Sequence, residues 1–87
     1  MSATSPIVKI KDDAFVPTTV TVSPGTTVNF ANVDGEAHTV TADDGSFDSK
    51  PMTATWEHTF MKPGRYAYHC TIHADMHGTI VVTQAPA

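Results

Sequence analysis

Along this chain apolar residues alternate with polar ones in short runs closed by turn residues, and no stretch carries a helical period. Ile7, Val8 and Ile10 make a first run, closed by Asp12-Asp13. Val20 and Val22 alternate with threonines up to Ser23-Pro24-Gly25, and Val28 and Phe30 alternate with Thr27 and Asn29 up to Asn32-Val33-Asp34-Gly35. His38-Thr39-Val40-Thr41 reads as extended and Asp43-Asp44-Gly45-Ser46 as a polar turn. Trp56, His58 and Phe60 share one parity before Lys62-Pro63-Gly64-Arg65, Tyr66, Tyr68 and Cys70 share one face of the next run, and Gly78 opens Thr79-Ile80-Val81-Val82-Thr83. Runs spaced by roughly 8–12 residues predict an all-β fold, an antiparallel sandwich or barrel of about seven to eight strands with no long helix.

The length of 87 residues predicts a single domain, residues 1–87, without repeat or linker and with frayed ends at 1–5 and 85–87. A chain of this size buries only about 60–65% of the surface its unfolded form exposes, so a bound metal adds useful stability. Nine acidic against five basic residues give a net charge of −4, which argues against nucleic acid and against a polybasic membrane anchor. No apolar run approaches the ~20 residues of a membrane helix. Met1 to Pro6 does not read as a signal peptide; for an exported protein this would be the mature part behind an added Met1. The lone cysteine forbids an internal disulfide, and it excludes a copper pair bridged by two thiolates of one chain.

That cysteine stands in Cys70-Thr71-Ile72-His73-Ala74-Asp75-Met76, where thiolate, imidazole and thioether are each separated by two residues. Cys70 ends a strand and points inward with Tyr66 and Tyr68. His73 and Met76 lie in the loop before the last strand, and His38 begins another strand, so all four can meet at one end of a sandwich. Two imidazoles, one thiolate and a weak, distant Met sulfur form the ligand set of a blue-copper site. A zinc site could also use Cys70, His38 and His73, since zinc accepts sulfur and nitrogen. Copper is favoured by the Irving–Williams order.

The run from Pro63 through Cys70, His73 and Met76 to Val82 resembles the C-terminal ligand loop of cupredoxins, and Val28 to Asn32 followed by His38-Thr39-Val40 is similar to that family's first-ligand region. The likeness spans Ile7 to Thr83, and the two-residue gaps are similar to those of amicyanins. It implies a Greek-key β-sandwich with one type 1 copper per chain, working as a monomer that shuttles single electrons between larger redox proteins in the periplasm or elsewhere outside the cytoplasm. By position, the resemblance makes His38, Cys70 and His73 the strong equatorial ligands and Met76 the axial one. It makes the Thr39 N–H a donor to the Cys70 sulfur, which agrees with the general need to orient and tune metal ligands. It further implies that partners dock near the partly exposed His73, and that His73 protonates and leaves the metal on reduction. Ala74 and Asp75 stand where many members have proline and an aromatic residue. Their presence predicts a looser loop and a lower potential. Thr39 stands where Asn is more frequent.

The remaining polar residues have plainer readings. Met52 and Met61 read as packing or surface, and Trp56, Tyr66 and Tyr68 as core, with one tyrosine tied back to backbone. His58 and His69 lie on strands, and His69, opposite in parity to Cys70, should face solvent. His77 reads as surface. Asp43, Asp44 and Asp48 read as a solvated turn, or else as a patch for a basic partner. The competing function is a copper-delivery or buffering module, which the Ala74 loop, Asp75 and His77 would suit. A multicopper enzyme would need further histidine-rich sites that this sequence does not hold.

Overall fold

The computed structural model describes residues 6–73 and 75–84; the expectations of frayed ends and of a loosened loop at Ala74 fall outside these residues. Eight strands follow in order: β1 Ile7–Lys11, β2 Ala14–Val16, β3 Thr19–Val22, β4 Thr26–Asn32, β5 Thr41–Ala42, β6 Thr55–Phe60, β7 Gly64–His69 and β8 His77–Val82. There is no helix among the described residues. The strands form two four-stranded sheets, ordered β2-β1-β4-β6 and β3-β8-β7-β5. The all-β sandwich expected from the alternation is therefore present.

Its sheets are mixed, whereas strand spacing alone suggests antiparallel pairing throughout. β1 runs parallel to β4, and β3 runs parallel to β8. Parallel neighbours require a crossover, and here β2 and β3 provide the one between β1 and β4. β2 itself is too short for a periodicity to reveal. It exists because Asp12 and Asp13, both at positive φ (54° and 56°), close a tight hairpin back onto β1. Asp tolerates this left-handed region better than most residues.

The period-two pattern does the packing. Val8 and Ile10 of β1, Phe15 of β2, Val28 and Phe30 of β4, Phe60 of β6, Tyr68 of β7 and Ile80 and Val82 of β8 are all buried between the sheets. The Tyr68 ring meets Phe15 edge-on at 4.7 Å and Phe30 at 5.5 Å. Trp56 and Tyr66 are only partly buried against this core. They cover its open side beside Phe47, which is buried although it lies in a loop. Tyr66 Oη donates to the Lys62 carbonyl at 2.6 Å, the tyrosine-to-backbone tie expected of one of the two tyrosines.

Pairing brings the chemistry to one end. β5 pairs antiparallel with β7 through Thr41 opposite His69, so the residues just before Thr41 lie beside those just after His69. β7 and β8 are antiparallel neighbours, with His69 opposite His77, and the segment 70–76 closes their shared end.

Candidate metal centre

His38 is fully buried in the stretch between β4 and β5, where it is held by an isolated bridge rather than by a continuous strand. Its N–H donates to the Met52 carbonyl at 3.2 Å, and the Met52 N–H returns a bond to the His38 carbonyl at 2.9 Å. The extended stretch expected from His38 to Thr41 is thus regular only from Thr41. Asn32 explains the interruption. Its side-chain amide donates to the carbonyls of Glu36 and Met52, at 2.8 and 3.0 Å, and its carbonyl oxygen accepts the Asp34 N–H at 2.9 Å. This packs the 33–37 loop around a buried amide instead of a ladder.

The segment after β7 is equally constrained. The Cys70 N–H donates to the Met76 carbonyl at 3.2 Å and the Met76 N–H to the His73 carbonyl at 3.0 Å. Both Cys70 and Met76 are buried, and His73 is partly exposed. The structure brings His38, Cys70 and His73 together: one ligand atom from each lies within 4.8 Å of the others. The imidazole centroids of His38 and His73 are 4.8 Å apart. Met76 closes the same loop from its far side through the two backbone bonds.

Each imidazole is oriented at its outer nitrogen. His38 Nε2 lies 3.0 Å from Asp34 Oδ2, and His38 Nδ1 lies 3.8 Å from the Cys70 sulfur. Donation of Nε2–H to the carboxylate leaves the Nδ1 lone pair facing inward. Asp34 is itself fixed, because its two oxygens accept the N–H groups of Asp12 at 3.0 Å and Asp13 at 3.4 Å. The Asp12 bond is foremost among the causes that hold this carboxyl below its usual range. His73 Nε2 lies 3.4 Å from Glu36 Oε1, while its Nδ1 is shielded from solvent and has no hydrogen-bond partner. A buried ring nitrogen without a partner, beside a thiol and a second inward lone pair, is the arrangement a metal completes. The donors present therefore fit a metal that takes sulfur and nitrogen.

The sulfur is prepared for ionisation. Burial opposes the charge, but the N–H groups of Thr39 and His73, each 3.4 Å from Sγ, lead the contributions that outweigh it and bring the thiol down to about 6. The metal-free protein is expected to show thiolate absorption with a midpoint near 6, against an ordinary thiol at about 8.5. A midpoint above 8 would mean that these donors do not reach the sulfur. Because folding depresses this acid, its stabilising contribution is complete above the unfolded thiol's range and is lost as pH falls through about 6. The metal-free protein should accordingly melt at a lower temperature at pH 5.5 than at pH 8.5.

The other titratable residues occupy structural places. His69 points outward as its parity requires, but its Nδ1 meets Asp43 Oδ1 at 2.6 Å. Asp44 accepts the Ser46 N–H at 2.9 Å, and Asp48 accepts the Lys50 N–H at 2.8 Å. The acidic turn is thus largely engaged with its own backbone. His58 stacks on Trp56 at 5.5 Å, and burial lowers its pKa. His77 and Asp75 are exposed. Sequence reasoning missed Asp34 and Glu36, whose alternation with His38 in Asp34-Gly35-Glu36-Ala37-His38 was the available signal.

Over residues 2–82 the chain matches the family described as the Cupredoxin-like domain, and it belongs to that family. Among solved structures it is similar to amicyanin from Paracoccus versutus (Thiobacillus versutus), at 28% identity and a TM-score of 0.82 over 94% of this chain and 84% of that one. It is similar to a reduced amicyanin variant at 27% identity and a TM-score of 0.83, over 93% and 85% of the two chains. A copper-containing nitrite reductase from Thermus scotoductus SA-01 matches at 27% identity and a TM-score of 0.88 over 100% of this chain, which spans only 24% of the reductase. A comparison with curated protein sequences gave no match.

Proposed function

We propose that this chain is a small one-electron carrier whose His38, Cys70 and His73 hold a single copper ion, with Met76 as a weaker fourth ligand. The observation that carries this reading is the convergence of two inward Nδ1 atoms on one buried, acidified sulfur, with His73 Nδ1 left unpartnered. Bound copper would supply the electron by cycling between Cu(I) and Cu(II), and thiolate, imidazole and thioether together suit both states. The chain's part is to hold the donors still. The Asp34 bond fixes the His38 ring, the loop from Cys70 to Met76 is closed by its own backbone, and the surrounding core excludes water. His73, the partly exposed donor, offers the path toward a redox partner. We read it further as a single-domain monomer that works outside the cytoplasm with larger redox partners, a reading that the likeness to amicyanin over most of both chains supports. No helix of the described residues is long and apolar enough to cross a membrane.

Titration of the metal-free protein with Cu(II), followed by visible absorption and electron paramagnetic resonance, tests the reading. One equivalent should give an intense blue band and a narrow copper hyperfine splitting. A colourless complex would overturn it. Copper delivery is the second reading, and one observation favours it: Asp13, Glu36 and His73 place three donor atoms within 4.8 Å of one another on the outer side of the site. Reduction in the presence of a Cu(I) chelator separates the two, because a carrier retains its metal through repeated cycles and a delivery module surrenders it.

A further inference from the structure

The sandwich gapes along one side. β6 is the edge of its sheet, and β5 pairs with β7 only at His69 and Tyr68, so Tyr66 has no strand on that side. A groove of about 220 Å³ lies in this gap, toward the Gly64 end of β7. Phe47, Phe60, Tyr66 and the exposed Met61 give it an apolar surface. The Phe60 ring meets Phe47 at 5.5 Å and 90° and Tyr66 at 5.3 Å and 57°, so the groove presents ring faces and ring edges together.

Its charge runs against that of the molecule. The chain carries −4 overall, yet the groove is lined by Lys62 and His58, and no acidic residue lines it among those described. The elements around His58 agree. Val28 stands opposite it on β4. Glu57, next to it on β6, projects from the other face, where Asn29 Nδ2 donates to it at 3.3 Å. In the loop that carries Phe47, Asp43 meets His69, and Asp44 and Asp48 take backbone N–H groups of their own turn. From the β7 side come Lys62 and Tyr66, whose hydroxyl is already engaged with the Lys62 carbonyl. His58 stacks on Trp56 with 14° between the rings and stands 4.8 Å from Phe47 and 4.9 Å from Phe60. An imidazolium here would have apolar rings and a lysine around it and no counter-ion. Burial also lowers its pKa.

We propose that this groove is a binding site for a small aromatic carboxylate, with the ring against Phe60 and Tyr66 and the carboxylate between Lys62 and His58. The size fits one ring: an apolar cavity of about 150 Å³ already admits benzene, and the remainder takes a carboxylate. Aromatic rings favour the offset and edge-on contacts that Phe60 and Tyr66 offer. The charge fits an anion, because a lysine and an imidazolium both donate to carboxylate oxygens with charge assistance. The ligand supplies the missing counter-ion, so the ligand and the His58 proton each strengthen the binding of the other. None of these residues is a proposed copper donor, and the site stands whether or not the metal reading does.

The test uses the full chain, metal-free and copper-loaded, with benzoate as the probe. Ring signals of His58, Tyr66 and Trp56 are followed by nuclear magnetic resonance, and acetate and benzyl alcohol separate the charge from the ring. Benzoate should shift the His58 and Tyr66 signals saturably, and each of the other two should bind at least about tenfold more weakly. Lys62→Gln, a change at an exposed position, should weaken benzoate about threefold. Between about pH 8 and about pH 5.5 the parent's affinity should rise, and in His58→Phe, which keeps a ring in the stack, it should not. The absence of a saturable shift, benzyl alcohol binding as tightly as benzoate, or parental affinity in Lys62→Gln would each overturn the proposal. An affinity with the same pH dependence in the parent and in His58→Phe would overturn it too. So would groove signals that move on dilution alone, since a second copy would then be the occupant. If His58→Phe does not fold, Lys62→Gln and the two comparison probes decide.

Discussion

Cys70→Ala is expected to abolish the intense thiolate-to-copper absorption completely while the two histidines retain a weak, nearly colourless Cu(II) complex. The sulfur is the only thiolate the chain can offer, and it sits where both imidazole Nδ1 atoms converge. Its removal also strands two N–H groups, those of Thr39 and His73, that now donate to Sγ. A buried donor without a partner costs about 1–3 kcal/mol. Two such losses are large against the roughly 5–15 kcal/mol that holds a small domain together, so Cys70→Ser, which keeps an acceptor in place, is the companion variant. Absorption at one equivalent of Cu(II), with circular dichroism to confirm folding, reads the result. Intense colour persisting in a folded Cys70→Ala protein would sink the assignment.

Gly78→Ala is expected to be the most damaging single-methyl addition on β8. A Cβ built there would stand 2.3 Å from both Cζ and Oη of Tyr68 and 2.8 Å from its Cε1. Tyr68 is the residue directly opposite Gly78 on β7, and the outer end of its ring fills the space beside the glycine. It has no room to yield, because it is fully buried and pinned edge-on by Phe15 and Phe30. Overpacking of this kind costs about 1–3 kcal/mol, and displacement of a core aromatic about 3–5. For a domain of this size each kcal/mol corresponds to roughly 4–8 °C, so a fall in Tm of 10 °C or more is expected in thermal unfolding. A change within 2 °C would show that the ring does not occupy this place. The Tyr68 hydroxyl has no hydrogen-bond partner, and burial pushes its pKa up, so the phenol remains neutral in the core. Relief of the clash by Tyr68→Phe in the Gly78→Ala background would be partial, since Cζ remains.

Much of this arrangement is legible in the residues themselves, for reasons that also explain the gaps. Strands of five or more residues announce themselves by alternation, as β1, β4 and β6 to β8 do. β2 and β5, three and two residues long, are below what a period of two can reveal. Phe15 of β2 was consequently missing from the expected core, as was Phe47, which lies in a loop where no period marks it, and both are buried. The convergence of His38, Cys70 and His73 could be anticipated because fixed spacing, strand parity and a shared sandwich end all pointed the same way. Asp34 and Glu36 could not be assigned to their imidazoles in this manner, because their reach depends on how Asn32 folds the 33–37 loop.

The position of β8 bears on how such a molecule is made. The last strand in sequence is an interior strand in space, lying between β3 and β7, and it pairs Thr19 with Thr79 across most of the chain. Pairings this distant close late, since the entropy of the intervening loop must be met first. A polypeptide emerging from its N-terminus would already have presented His38, Cys70, His73 and Met76 before Val82 arrived, yet the sheet that aligns them would still lack its central member. On the copper-carrier reading, loading with metal would wait for β8 to pair, and truncation after Met76 would keep all four proposed donors and lose the site.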